Sequence, residues 1–180
     1  RYNVIRNNSI DNVSTGIWFD SAIHQYNTFI NNSFTRVASY AVYFNNEGAY
    51  YNYFNGTNTI NGMNFYHYAS VSNLEVAGIN LNASSDATNL GQFTVIGGSN
   101  VTLRDSNISG DRDYGVLYYG SSNSKVSNNN MTGNGDSGWE SGVFLWSNSN
   151  VLVENNRMQG NFYGVRITGA SGSTIRNNTI

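Results

Sequence analysis

The 180-residue chain contains no cysteine and no proline, and charged side chains make up only 11% of it. Without cysteine there is no disulfide, no thiolate metal site and no cysteine nucleophile. No proline-rich or low-complexity linker divides the chain, so residues 1–180 read as one domain. The net charge of −2 with no basic block argues against nucleic acid or an anionic membrane as partner. No apolar run approaches the roughly 18 residues of a membrane-spanning helix. Histidine occurs twice, as His24 and His67, neither in an HExxH setting, so no zinc site is expected. There is also no nucleophile-elbow serine and no phosphate-binding glycine loop.

What the chain has instead is asparagine, 32 of 180 residues, together with aromatic and β-branched side chains. That mixture is too apolar for a disordered segment. It is also periodic. A small polar corner recurs at Asn8, Asn32, Asn58, Ile79, Ser106, Asn129, Asn156 and Asn178, with Ile79 the irregular copy. Successive corners lie 24, 26, 21, 27, 23, 27 and 22 residues apart. Two residues after each comes an apolar side chain: Ile10, Phe34, Ile60, Leu81, Ile108, Met131, Met158 and Ile180. A second short strand follows in each full unit, as in GIWF (16–19), AVYF (41–44), GVLY (115–118) and GVRI (164–167).

No unit holds a segment long enough for a stable helix, and none can bury its apolar face alone. Such units must stack. The expected fold is all-β, a parallel β-solenoid of about 7–8 coils with 21–27 residues per coil. Stacked corner asparagines would satisfy one another's amides, and asparagine tolerates the left-handed backbone of a sharp corner. A leucine-rich repeat has an overlapping period, but leucine is rare here and no unit has a helical half.

In the second strand, alternation sends Ile17, Phe19, Val42, Phe44, Val116, Tyr118, Val143, Leu145, Val165 and Ile167 inward. It sends Trp18, Asp20, Tyr43, Tyr66, Tyr68, Tyr119, Phe144 and Trp146 outward, along with Thr94, Leu117 and Arg166. A face this aromatic marks either a binding surface or a covered interface. In the first case the rings stack on sugars and nearby Asn, Asp and Arg bind hydroxyls. In the second, absent parts of the protein or another copy of the chain, as in a homo-oligomer, cover the sheet.

The turns before the second strand gather Asp111, Arg112 and Asp113 on one coil and Asp136, Trp139 and Glu140 on the next, with Asp86 one coil earlier. Two carboxylates on adjacent coils suit acid and base, or nucleophile, in glycoside cleavage. Arg112 could neutralise a uronate or tune a carboxylate. The same cluster could hold Ca²⁺, or simply be solvated turn residues. Asp111, Asp113, Asp136, Glu140 and Arg112 are therefore the catalytic candidates. Trp18, Asp20, Tyr43, Tyr66, Tyr68, Tyr119, Trp139, Phe144 and Trp146 are the substrate-binding ones, and no metal or cofactor is required.

The phrases NVIRNNSIDN (3–12), SKVSNNNMTGN (124–134) and STIRNNTI (173–180) resemble the right-handed parallel β-helix repeats of the pectin-lyase-like superfamily. The Tyr- and Asn-rich opening is similar to the disaggregatase-related β-helix region of archaeal surface proteins. That resemblance implies an extracellular or cell-surface protein acting on a polysaccharide, as a hydrolase or lyase. A catalytic motif of a known lyase family is not found. The alternatives are a non-catalytic structural or adhesion module and a copper-delivery accessory β-helix. The copper reading is disfavoured by three Met, two His and no Cys. Nine Asn-X-Ser/Thr sequons allow glycosylation if the chain is secreted. The chain opens inside a repeat at Arg1 and closes halfway through one at Ile180, which reads as part of a longer protein.

Overall fold

The computed structural model describes residues 2–82, 88–110, 113–135 and 138–180. It is a parallel β-solenoid of short strands, with one 3₁₀ helix at Glu47–Tyr51. Its spine is an eight-stranded sheet in the order Val4–Arg6, Thr28–Ile30, Tyr53–Phe54, Tyr66–Ala69, Phe93–Ile96, Tyr114–Tyr119, Ser141–Trp146 and Tyr163–Thr168. Two further sheets close the C-terminal coils, one running from Ser72–Ala77 to Thr174–Arg176 and one from Asn80–Asn82 to Arg157–Gln159. The N-terminal coils are closed by Ser9–Asp11 stacked on Ser33–Thr35 and Thr59–Ile60, and by Ile17–Phe19 stacked on Val42–Phe44.

The corners divide their work between two residues. The left-handed backbone falls on the residue before the stacked position at most corners: Asn7 (φ 58°), Asn31 (52°), Asp105 (51°), Asn128 (56°), Asn155 (55°) and Asn177 (53°), though not at Thr57 before Asn58. The next residue turns its amide into the coil. Asn8 Nδ2 donates to Asn32 Oδ1 at 2.9 Å, and Asn32 Nδ2 to Asn58 Oδ1 at 2.9 Å. A second ladder runs from Asn129 to Asn156 and on to Asn178, each step 3.0 Å. The paired Asn-Asn corners thus need asparagine twice, first for its backbone and then for its amide. A third ladder, Asn3 to Asn27 to Asn52, does the same work one corner earlier.

The two main ladders are not one column. Between them, Asn61 (φ 48°) and Gly62 (φ 81°) form a two-residue turn, and Thr59–Ile60 pairs antiparallel with Met63–Asn64. Positive φ at both central residues is the tight hairpin geometry that Asn-Gly favours. The hairpin reverses the chain, so Tyr66–Ala69 enters the long sheet antiparallel to Tyr53–Phe54 while pairing in parallel with Phe93–Ile96.

Reversal moves the core to the other side of the sheet. Phe29, Phe54, Phe34 and Phe44 form the N-terminal core; Val116, Tyr118, Val143, Leu145 and Val153 form the C-terminal one. The long sheet is the wall between them. Changing strand direction and coil side together preserves the hand of the winding, so both runs wind alike.

This corrects the expected facing of several side chains. Tyr66 and Tyr68, expected outward, pack toward the C-terminal core against Phe93. Their neighbour His67 faces the N-terminal core, stacked on Phe44 with centroids 4.7 Å apart. Leu117, Ile96 and Phe144 do point out of the C-terminal coils, but they are buried against the N-terminal core. The covering layer is part of this chain.

Candidate functional site

Beyond the covered zone the outer face of the long sheet opens into a cleft of about 350 Å³. Tyr114, Trp139, Phe144, Trp146, Arg166 and Thr168 line it. Parallel register puts Phe144 beside Arg166 and Trp146 beside Thr168 on neighbouring strands. The Arg166 guanidinium carbon lies 4.3 Å from the Phe144 ring centroid and 4.8 Å from that of Trp139. Its Nη1 donates to the Trp139 carbonyl at 2.7 Å and lies 3.5 Å from the Tyr114 hydroxyl. Phe144 in turn stacks on Trp146 (5.7 Å, 15°), and Trp146 meets Tyr119 edge-on at 4.9 Å. A delocalised planar cation continues the aromatic surface here as a lysine could not.

Asp113 and Glu140 immediately precede Tyr114 and Ser141, which are partners on adjacent strands. The two carboxylates therefore start one coil apart, about 4.8 Å along the solenoid. Both act on Tyr114. Burial pushes its phenol up from the ordinary value, the Arg166 charge opposes that, and the Asp113 and Glu140 charges reinforce it. Tyr119 is likewise raised, first because its hydroxyl is bonded to Glu47 Oε2 at 2.7 Å. That bond ties the N-terminal 3₁₀ helix to the margin of the cleft.

Of the residues expected to bind substrate, Trp139, Phe144 and Trp146 meet in the cleft and Tyr119 joins them through Trp146. Trp18 and Tyr43 form a separate pair of tilted rings, 4.5 Å apart, on the outside of the two-stranded N-terminal sheet. Asp20 pairs there with His24 Nδ1 at 3.1 Å. Tyr66 and Tyr68 are core-facing, as described above. Of the catalytic candidates, Asp113 and Glu140 are not among the lining residues but adjoin two of them in the chain, Tyr114 and Trp139; Asp111, Arg112 and Asp136, with Asp86, lie outside the described residues. Among the described residues no three His, Asp or Glu side chains converge on a cation site. Sequence reading left Tyr114 and Arg166 out of the site. Arg166 was readable as the charged member of the outward column in a charge-poor chain.

A larger cavity of about 580 Å³ opens at the first coil, lined by Ile5, Trp18, Phe19, His24 and Phe29 among others. Ile5, Phe19 and Phe29 are inward core positions, equivalent to ones buried one coil further on.

Coil geometry and cleft together define a parallel β-solenoid that displays an aromatic groove on its outer wall. Residues 24–180 match the family model described as right handed beta helix region, and the chain belongs to that family. No curated protein and no solved structure matches the chain.

Proposed function

We propose that this β-helix is an extracellular or cell-surface module that binds a polysaccharide in the cleft and cleaves it there. The observation that carries the reading is the continuous stack Trp139–Arg166–Phe144–Trp146 lining an open groove, with Asp113 and Glu140 next in the chain to its lining residues Tyr114 and Trp139. Sugar rings present flat C–H faces to such a surface, and the hydroxyls around them suit nearby carboxylates and amides. Two carboxylates one coil apart are placed to act as acid and base, or acid and nucleophile, across a glycosidic bond. The right-handed β-helix, a fold consistent with carbohydrate activity, supports the same reading. So does the resemblance of the opening coils to disaggregatase-related repeats.

The test is incubation of the protein with a panel of polysaccharides, following new reducing ends and the absorbance of unsaturated uronates. Reducing ends alone mean hydrolysis, and both signals mean a lyase. Loss of either signal in Asp113→Asn or Glu140→Gln supports the assignment. Retention on a polysaccharide column without cleavage, weakened by Trp139→Ala, would reduce the protein to a binding module. Neither cleavage nor retention would sink the proposal and leave a scaffold.

A further inference from the structure

Resting on the sugar-binding reading of the cleft, we infer that a tyrosine column outside it, Tyr51, Tyr26 and Tyr2, continues the same site. Its ligand is then an extended polysaccharide chain lying across the strands of the long sheet. The chain reversal makes this column. Tyr2, Tyr26 and Tyr51 each stand two residues before a strand of the N-terminal run, namely Val4–Arg6, Thr28–Ile30 and Tyr53–Phe54. Those strands are parallel to one another and antiparallel to Tyr66–Ala69, with which the C-terminal strands run parallel. The edge of the sheet where the N-terminal strands begin is therefore the edge where the C-terminal strands finish, at Tyr119 and Trp146.

The rings follow one another along that edge. Centroids are 5.8 Å apart from Tyr2 to Tyr26 and 6.2 Å apart from Tyr26 to Tyr51. The Tyr51 ring lies against Gly97, where an added Cβ would sit 3.3 Å from it. Gly97 N donates to Tyr119 O at 2.8 Å, and the Tyr119 ring meets Trp146 of the cleft. From Val4–Arg6 to Ser141–Trp146 the sheet counts six strand spacings, roughly 29 Å at about 4.8 Å each. A surface of that length fits a polymer rather than one or two sugars.

Two features set the column apart from a packing seam. Tyr2 and Tyr26 are 83% and 47% exposed, whereas the rings that pack the coils, such as Phe29 and Phe54, are buried. Tyr26 also holds φ 61°, a left-handed backbone that is an outlier for a bulky side chain. Among the described residues it is the one aromatic to do so, and most other non-glycine residues in that conformation are asparagines. Asparagine fits this backbone with less strain. A strained position that holds tyrosine instead points to the side chain as its purpose. Exposed rings at successive coils offer flat apolar faces to the C–H faces of successive sugars, with phenol hydroxyls at the rim to bond theirs. Each ring adds contact only when the chain is long enough to reach it, so affinity rises with chain length.

The experiment is calorimetric titration of the protein, Tyr26→Asn and Trp139→Ala with glucan, mannan, xylan and polygalacturonate, each as the polymer and as size-fractionated fragments down to disaccharides. The polymer that the cleft binds should lose about tenfold in affinity in Tyr26→Asn, with the loss shrinking as the fragments shorten. Trp139→Ala should weaken fragments of every length. The unfolding midpoint of Tyr26→Asn should be unchanged or raised, because asparagine relieves the backbone. Full polymer affinity in Tyr26→Asn, or a loss equal at all lengths with a lowered midpoint, would overturn the track while leaving the cleft a sugar site. No Trp139-dependent binding of any probe would overturn both.

Discussion

His67 sits directly across the long sheet from Phe54, on strands that run in opposite directions. Both side chains face the N-terminal core, with ring centroids 6.0 Å apart. Coils N-terminal of this pair lie on one side of the sheet and those C-terminal of it on the other, except that Thr88 to Leu90 return to the first side, where Thr88 bridges Val42 and Leu90 joins the N-terminal core. The outer wall of the second run is thereby partly the inner wall of the first.

Leu117 tests that arrangement. In a plain solenoid it would be an outward, solvent-facing residue, yet it is 0% exposed. Leu117→Ala should cost about 3 kcal/mol in urea unfolding, as a core truncation does. A cost near zero would show that the N-terminal core does not cover this face.

Gly62 occupies the second central position of the reversing hairpin at φ 81°, with open space around it. Gly62→Ala meets no clash, but it must hold a left-handed backbone. The expected loss is about 1 kcal/mol, read as a lower unfolding midpoint at unchanged slope.

Asn129 is fully engaged. Its Oδ1 accepts from Ser106 N at 3.0 Å, and its Nδ2 donates to Leu103 O at 3.2 Å and Asn156 Oδ1 at 3.0 Å. Asn129→Leu should cost about 2–4 kcal/mol, because it strands these groups in the coil. Asn129→Ser should cost less, since Ser106 already fills the equivalent position by accepting from Ile79 N and donating to Arg104 O. Chemical denaturation of the two variants checks the order.

His67 makes stability pH-dependent. Burial holds it neutral, down to about 4 from an ordinary 6.5, against the opposing pull of the Tyr50 carbonyl. Between those values the unfolded chain binds a proton that the folded one refuses. Stability is therefore full above about pH 6.5 and falls as pH drops toward about 4, by about 3 kcal/mol from this group. Denaturation curves across that window should lose this component in His67→Phe.

Trp139 is 70% exposed. Trp139→Ala should change stability by no more than about 0.5 kcal/mol while weakening sugar binding about tenfold. Arg166→Lys keeps the charge but not the plane, and should also weaken binding. Calorimetric titration separates the two effects, and unchanged binding in both variants would remove the cleft from the site.

The sequence by itself determined the repeat. Its Asn corners and the apolar residue two places on, from Ile10 to Met158, follow from local rules of turn chemistry and period-two alternation. Those rules hold whatever the chain does at a distance, so coil number, strand identity and most inward positions could be read directly. They also put Trp139, Phe144, Trp146, Asp113 and Glu140 on the candidate list.

Only the tertiary structure decided which side of the wall each coil occupies. Asn61-Gly62 reverses a strand without disturbing the period. The repeat therefore reads straight through the point where facing flips for Tyr66, His67 and Tyr68. Alternation assigns side chains to two faces of a strand, but which face meets solvent depends on what packs there from the far end of the chain. That is why Leu117 became core, and why Arg166 joined Trp139 and Phe144 to make the cleft.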